Sequence, residues 1–181
     1  MVYILLADKF EEMEAVVPFD MLKRGQIGVK FVSVNDELVV ESARGVKVIC
    51  DCKASELYER NWDKMEMLVI PGGKIGVENL DKSAIFDKIL DIAVKNDIYI
   101  AAICAGPSLL GKRGLLAGKN AVAYPDFQEF LNGATIINER VIVDGKIITS
   151  IGAGASVEFG LKLVEILSSR ETAEKIKESI Y

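Results

Sequence analysis

The chain has 181 residues, half of them hydrophobic and 27% charged, with 22 Lys and Arg against 27 Asp and Glu for a net charge of −5. That length fits a single domain, and the composition holds enough apolar side chain for a core and too little net charge for disorder. The charge balance argues against nucleic-acid binding, and no apolar run reaches the roughly 18 residues of a membrane span. The opening VYILLA is interrupted by Asp8 too soon for a signal peptide, so a soluble, cytoplasmic protein without membrane contact is expected.

In chain order, VYILLA reads as a buried strand, and the segment Glu11 to Arg24 carries Met13, Val16, Val17 and Met21 at helical spacing before Gly25. Pro18 lies inside that helix and predicts a kink, because it removes a backbone donor. VKFVSV is a second strand, followed by the turn Asn35-Asp36-Glu37 and two short strand candidates, LVVES and VKVIC, around Ala43-Arg44-Gly45. Cys50 and Cys52 are two apart in a strand candidate, which predicts a shared face and inert side chains. Ser55 to Arg60 is a polar helical stretch.

MEMLVIPGG reads as a central strand that stops at Pro71-Gly72-Gly73. Residues 82–96 place Ile85, Ile89, Ile92 and Ala93 on one helical face. IYIAAI is a further strand, broken at Cys104-Ala105-Gly106-Pro107 and followed by the short helical segment SLLGKRG. NAVAY is a short strand, DFQEFL a helical turn, and VIVDGKIITS a hairpin with Asp-Gly at its turn. A helix from Ser156 to Leu167 presents Val157, Leu161 and Val164, and the charged tail ending in EKIKESIY forms a last surface helix. Strands alternating with helices over this length predict a three-layer α/β/α sandwich around a mostly parallel sheet.

There is no histidine, which removes the commonest general base, the commonest metal ligand and every Ser-His or Cys-His triad. The three cysteines match neither a CxxC pair nor a zinc site and fit a reduced intracellular protein. Cys104 carries the most information. Ala102-Ile103-Cys104-Ala105-Gly106 delivers a thiol from an apolar strand into a turn flanked by small residues, the pattern of a nucleophile elbow. A buried strand-end cysteine would look the same, but at a helix start the amides and dipole would lower the thiol pKa.

Glu11, Glu12 and Glu14 open the first helix, where acids complement the dipole without further function. Glu14 also borders the buried face, so it is a candidate proton donor to a thiolate. Gly72 and Gly73 free the backbone to aim amides at an anion, although a plain tight turn fits as well. Gly152-Ala153-Gly154-Ala155-Ser156 superficially matches a phosphate loop, but it lacks the third glycine and room for an acidic ribose partner, so a packing turn is expected.

Taken together, EEMEA, LVIPGGKIGVENL, AAICAGPSLL, VDGKIITS and SVEFGLKLVEIL resemble the DJ-1/ThiJ/PfpI superfamily, most closely its DJ-1 and ThiJ branch, over essentially the whole chain. The resemblance implies a flavodoxin-like three-layer sandwich, a homodimer, and no metal or organic cofactor. It also implies that Cys104 is the reactive elbow cysteine and Glu14 its hydrogen-bonded acid, with amides of Gly72, Gly73 and Ala105 around the sulfur or an oxyanion. Tyr124 stands where many relatives carry a histidine near the nucleophile, which argues against peptidase or amidase chemistry. Ile151 stands where close relatives tend to have an arginine, so the pocket is expected to be more apolar or its substrate smaller. The activity implied is a glyoxalase or deglycase acting on 2-oxoaldehydes, free or as adducts on glycated protein. The alternative is an oxidative-stress sensor whose Cys104 is oxidised to sulfinate without turnover; a role in thiamine biosynthesis ranks lower.

Overall fold

In chain order the computed structural model gives β1 (Val2–Leu6), α1 (Glu12–Arg24), β2 (Val29–Ser33), β3 (Val39–Glu41), β4 (Lys47–Ile49), β5 (Cys52–Lys53) and α2 (Ala54–Tyr58). These are followed by β6 (Met67–Ile70), α3 (Lys74–Asp81), α4 (Ala84–Lys95), β7 (Tyr99–Ile103), α5 (Pro107–Lys112) and β8 (Asn120–Ala121). The chain closes with β9 (Thr135–Ile136), β10 (Val141–Asp144), β11 (Ile147–Ser150), α6 (Ser156–Leu167) and α7 (Arg170–Ser179). Residues 1–58 and 64–180 are described, so the end of the helix predicted to Arg60 lies outside them.

The central sheet runs in the order β10-β11-β7-β6-β1-β2-β5. All its pairs are parallel except the β10–β11 hairpin. Strand side chains alternate between two cores, as a pleated sheet requires. Ile4, Leu6, Val69 and Ile103 join α1, α6 and α7 through Leu22, Phe159, Val164 and Ile176. Leu5, Leu68, Ile70 and Ala102 join α3, α4 and α5 through Val77, Phe86, Ile89 and Leu109. The result is a flavodoxin-like three-layer α/β/α sandwich, and no helix among the described residues is long and apolar enough to cross a membrane.

Several local readings change. Cys50 and Cys52 do not share a face: Cys50 packs in the α1/α6 core and Cys52 in the α3/α4 core. Between them Asp51 is stitched to β2, its N–H donating to the Phe31 carbonyl at 2.9 Å and its Oδ2 accepting the Phe31 N–H at 2.8 Å. This ends the excursion and starts the edge strand β5. The helix expected over 82–96 is α4, capped by Ser83, whose hydroxyl accepts the Phe86 N–H; α3 before it was not legible in the pattern. The strand expected at NAVAY is confined to Asn120–Ala121, paired with β9. The hairpin loop is Gly145–Lys146, one residue later than Asp-Gly, with Gly145 supplying the positive φ of +63°. Helix α1 runs unbroken through Pro18, against which Gly160 of α6 packs closely enough that a Cβ would fall 3.1 Å from the Pro18 Cα.

What matters for the site is where the connections reverse. From β1 the chain steps outward to β2, whereas β6 and β7 extend the sheet on the other side, so β1 and β6 bracket a topological switch point. Open parallel sheets bind ligands beyond the carboxyl ends of their strands at such a point. Residues following β1, β6, β7 and β11 therefore converge.

Candidate active site

Cys104 follows β7 with φ +62°, a left-handed conformation that non-glycine residues rarely adopt and that costs of order 1–3 kcal/mol. Backbone bonds hold it there: its N–H donates to the Ser150 carbonyl at 2.9 Å and its own carbonyl accepts the Tyr124 N–H at 3.0 Å. The small residues around it have a steric cause. A Cβ on Gly106 would lie 2.7 Å from the Ile70 carbonyl oxygen, so the turn closes only with glycine there.

Glu14 reaches the same spot from the first turn of α1. The helix starts there because the Glu11 side chain accepts the Glu14 N–H at 3.0 Å. Glu14 is fully buried, and its Oε2 accepts the Gly72 N–H at 2.8 Å. Burial raises its pKa to about 7, and the Glu11 charge adds to the rise, while hydrogen bonds from the Cys104 thiol and the Gly72 and Ala153 amides oppose it. Gly72 therefore differs from expectation, since its amide serves the carboxyl; the amides on the sulfur are those of Ala105 and Gly73. Gly73 has φ +89°, and a Cβ on it would fall 2.6 Å from the Lys9 carbonyl oxygen, which fixes glycine at this position.

The thiol departs from the local expectation as well. Burial pushes Cys104 up, followed by the negative charge and hydrogen bond of Glu14, with only the Ala105 and Gly73 amides lowering it. The following helix α5 has just six residues and supplies little dipole. Carboxyl and thiol thus form one coupled pair. With the proton on Glu14, its repulsion on the sulfur disappears and the carboxyl O–H becomes a donor to the thiolate. Cys50 is buried as well and is pushed up to about 12, first by burial and then by the charge of the adjacent Asp51.

Tyr124 lies against the site, 46% exposed, with its ring beside Gly152. Ile151 is half-buried, and its N–H donates to the Arg140 carbonyl at 3.1 Å. Arg140 was not singled out by the sequence reading; its guanidinium bonds the Gly154 carbonyl and reaches Glu158 at 2.9 Å. The Gly152–Ser156 loop also has a role that pattern matching did not reveal, because its Ala153 amide faces Glu14 and Gly152 flanks the Cys104 sulfur. No cluster of three or more potential metal ligands occurs among the described residues.

The DJ-1/PfpI family model matches residues 1–166. Protein dj-1beta of Drosophila melanogaster is 31% identical, the alignment covering 98% of this chain and 94% of that protein. Protein DJ-1 homolog A of Arabidopsis thaliana is 35% identical over 97% of this chain, which spans only 45% of that protein. The glutathione-independent glyoxalase DJR-1.2 of Caenorhabditis elegans is 29% identical over 96% of this chain and 91% of its own length. Among solved structures, oxidized DJ-1 of Toxoplasma gondii superposes with a TM-score of 0.92 at 38% identity, covering 99% of this chain and 96% of that one. An elbow cysteine, a buried acid donated to by the Gly72 amide, and this match along nearly the whole chain place the protein in the DJ-1/PfpI family.

Proposed function

We propose that this chain is a DJ-1-like cysteine enzyme acting on 2-oxoaldehydes such as methylglyoxal in the cytoplasm. The observation that carries the reading is the fully buried Glu14, packed with Cys104 around Gly72 and raised by burial to about 7. A group poised there can give and take a proton at neutral pH, which matters in a chain without histidine. The glyoxalase name of a relative lends support.

The Cys104 thiolate attacks the aldehyde carbon, forming a C–S bond as the carbonyl pair moves to oxygen. Amides of Gly73 and Ala105 hold that oxyanion, and Glu14 protonates it to the hemithioacetal. The Glu14 carboxylate then removes the proton from the former aldehyde carbon to give an enediolate, whose hydroxyl proton passes to the neighbouring oxygen as Glu14 returns its proton to the neighbouring carbon. The first carbon is oxidised and the second reduced within the same molecule. Water cleaves the resulting 2-hydroxy thioester, releasing the hydroxy acid and the thiol.

A second reading rests on the two amides at the sulfur and on the relative solved in oxidized form: Cys104 serves as a stress sensor, oxidised to sulfinate without turnover. One experiment separates them. Purified protein and Cys104→Ser are assayed with methylglyoxal, and intact mass is followed under graded peroxide. The enzyme reading expects turnover lost with Cys104→Ser; wild-type turnover in that variant sinks it, and no wild-type turnover together with a selective gain of two oxygens at Cys104 favours the sensor.

The partner proposed is a second copy of the chain. Met13 and Val16 of α1 and Val46 and Ile49 of the adjoining hairpin are exposed large apolar residues, Ile49 at 76%. Sedimentation is expected to show a dimer that dissociates when Val16→Asp and Ile49→Asp are combined; a monomeric parent protein would refute it.

A further inference from the structure

We propose that Tyr124 and Gly152 form a size gate over Cys104 that admits a carbonyl bearing hydrogen or a methyl-sized neighbour and resists an aryl group or a protein-bound adduct. This deepens the reading above and takes its substrate class from it. A Cβ built on Gly152 would lie 3.5 Å from the Tyr124 Cδ2 and 3.9 Å from the Cys104 Sγ, with no other atom of the described residues within 4 Å outside its chain neighbours. Both are ordinary van der Waals contact distances, one to carbon and one to sulfur. The missing side chain of Gly152 therefore leaves a gap that one carbon fills, with the phenol ring as one wall and the nucleophilic sulfur as the other.

The backbone that carries the ring is tied to the nucleophile's own backbone. The Tyr124 N–H donates to the Cys104 carbonyl at 3.0 Å, so the wall and the nucleophile move together. Tyr124 precedes Pro125 and takes the extended conformation this demands, with φ −54° and ψ 139°, at the head of a 3₁₀ turn running to Phe130. With 46% of the residue exposed, one side of the wall is wet. The gate requires a larger electrophile to displace the ring on its way to the sulfur. Tyr124 acts as a specificity-determining residue through its ring; its hydroxyl has no part in the proposal. The consequence for substrate is a choice between the two forms named above: free small 2-oxoaldehydes over adducts attached to a polypeptide.

The test measures second-order alkylation of Cys104 by iodoacetamide and by N-benzylmaleimide, using peptide mass spectrometry on the full chain. The ratio of the two rates cancels the thiolate fraction, since both reagents report the same thiolate, and leaves access. Tyr124→Ala is expected to raise the benzylmaleimide-to-iodoacetamide ratio about tenfold or more, the discrimination typical of a small apolar pocket, while Tyr124→Phe restores the wild-type ratio. An unchanged ratio in Tyr124→Ala, or an equal rise in Tyr124→Phe, overturns the gate. In parallel, kcat/KM for phenylglyoxal relative to methylglyoxal shifts in the same direction. If the alkylation ratio shifts while neither dicarbonyl is turned over, the enzyme reading fails and the gate stands.

Discussion

Replacing Glu14 with glutamine is expected to cut kcat/KM for methylglyoxal by about 10²–10⁴-fold while stabilising the folded chain above neutral pH. The first effect follows from removing the proton carrier beside Cys104. The second follows from linkage. Burial holds the Glu14 pKa at about 7 in the folded state against an ordinary value of 4.5, so between those values the folded chain binds more protons than the unfolded one. A raised carboxyl contributes stability that is fully present below the unfolded pKa and is lost as pH rises through the folded pKa. The loss approaches roughly 3 kcal/mol. The amide of the Glu14→Gln variant retains an oxygen to accept the Gly72 N–H but cannot ionise. Urea denaturation at pH 5 and pH 8 checks this: the stability difference between variant and parent should grow in favour of Glu14→Gln at the higher pH. A difference that does not change with pH would show that Glu14 titrates normally.

Gly72→Ala is expected to disturb the catalytic pair directly. Its Cβ would fall 2.5 Å from Glu14 Oε2, 2.8 Å from the Cys104 Cβ and 3.0 Å from the Ala105 nitrogen. Two of these are held by backbone, and the third is the buried carboxyl that Gly72 itself binds. Something must shift, at an overpacking cost of about 1–3 kcal/mol. A displacement of about 1 Å between reacting groups costs on the order of 10²-fold in rate, so activity should fall by at least that amount. Gly154→Ala provides the comparison, because a Cβ there meets nothing within 4 Å. Its stability is expected to stay within about 0.5 kcal/mol of the parent. Calorimetry and steady-state kinetics on both variants decide the matter; equal behaviour would mean that the crowding at Gly72 is relieved without cost.

Much of this architecture was legible because burial leaves periodic traces. The strands β1, β6 and β7 are apolar runs because both faces of the sheet are covered, and α4 shows Ile89 and Ala93 on one face because only that face meets the core. The elbow was legible because its geometry demands small side chains. The segments that escaped notice have weak local signals. β5 and β9 are two residues each and exist only because a neighbouring strand supplies their partners. α3 begins at a glycine without a side-chain cap, so no capping residue marks its start. The separation of Cys50 from Cys52 is set by the bonds between Asp51 and Phe31, twenty positions apart.

By itself, the sequence determined the sandwich and the elbow, since hydrophobic periodicity and turn chemistry are written in local residue order, while Cys104 and Glu14 became a candidate pair through the resemblance that its ordered motifs carry. Only the tertiary structure decided how that pair is tuned. Desolvation and Coulomb interaction depend on what surrounds a group in space, and the groups around Glu14 come from the loops after β6, β7 and β11. A thiol at a helix start looks acidic when read locally, yet burial and a carboxyl ninety positions earlier push it the other way. The size of the opening above the sulfur was equally out of reach, because Gly152 follows β11 and Tyr124 follows β8, and they meet only where β11 pairs with β7 and the Tyr124 N–H bonds the Cys104 carbonyl.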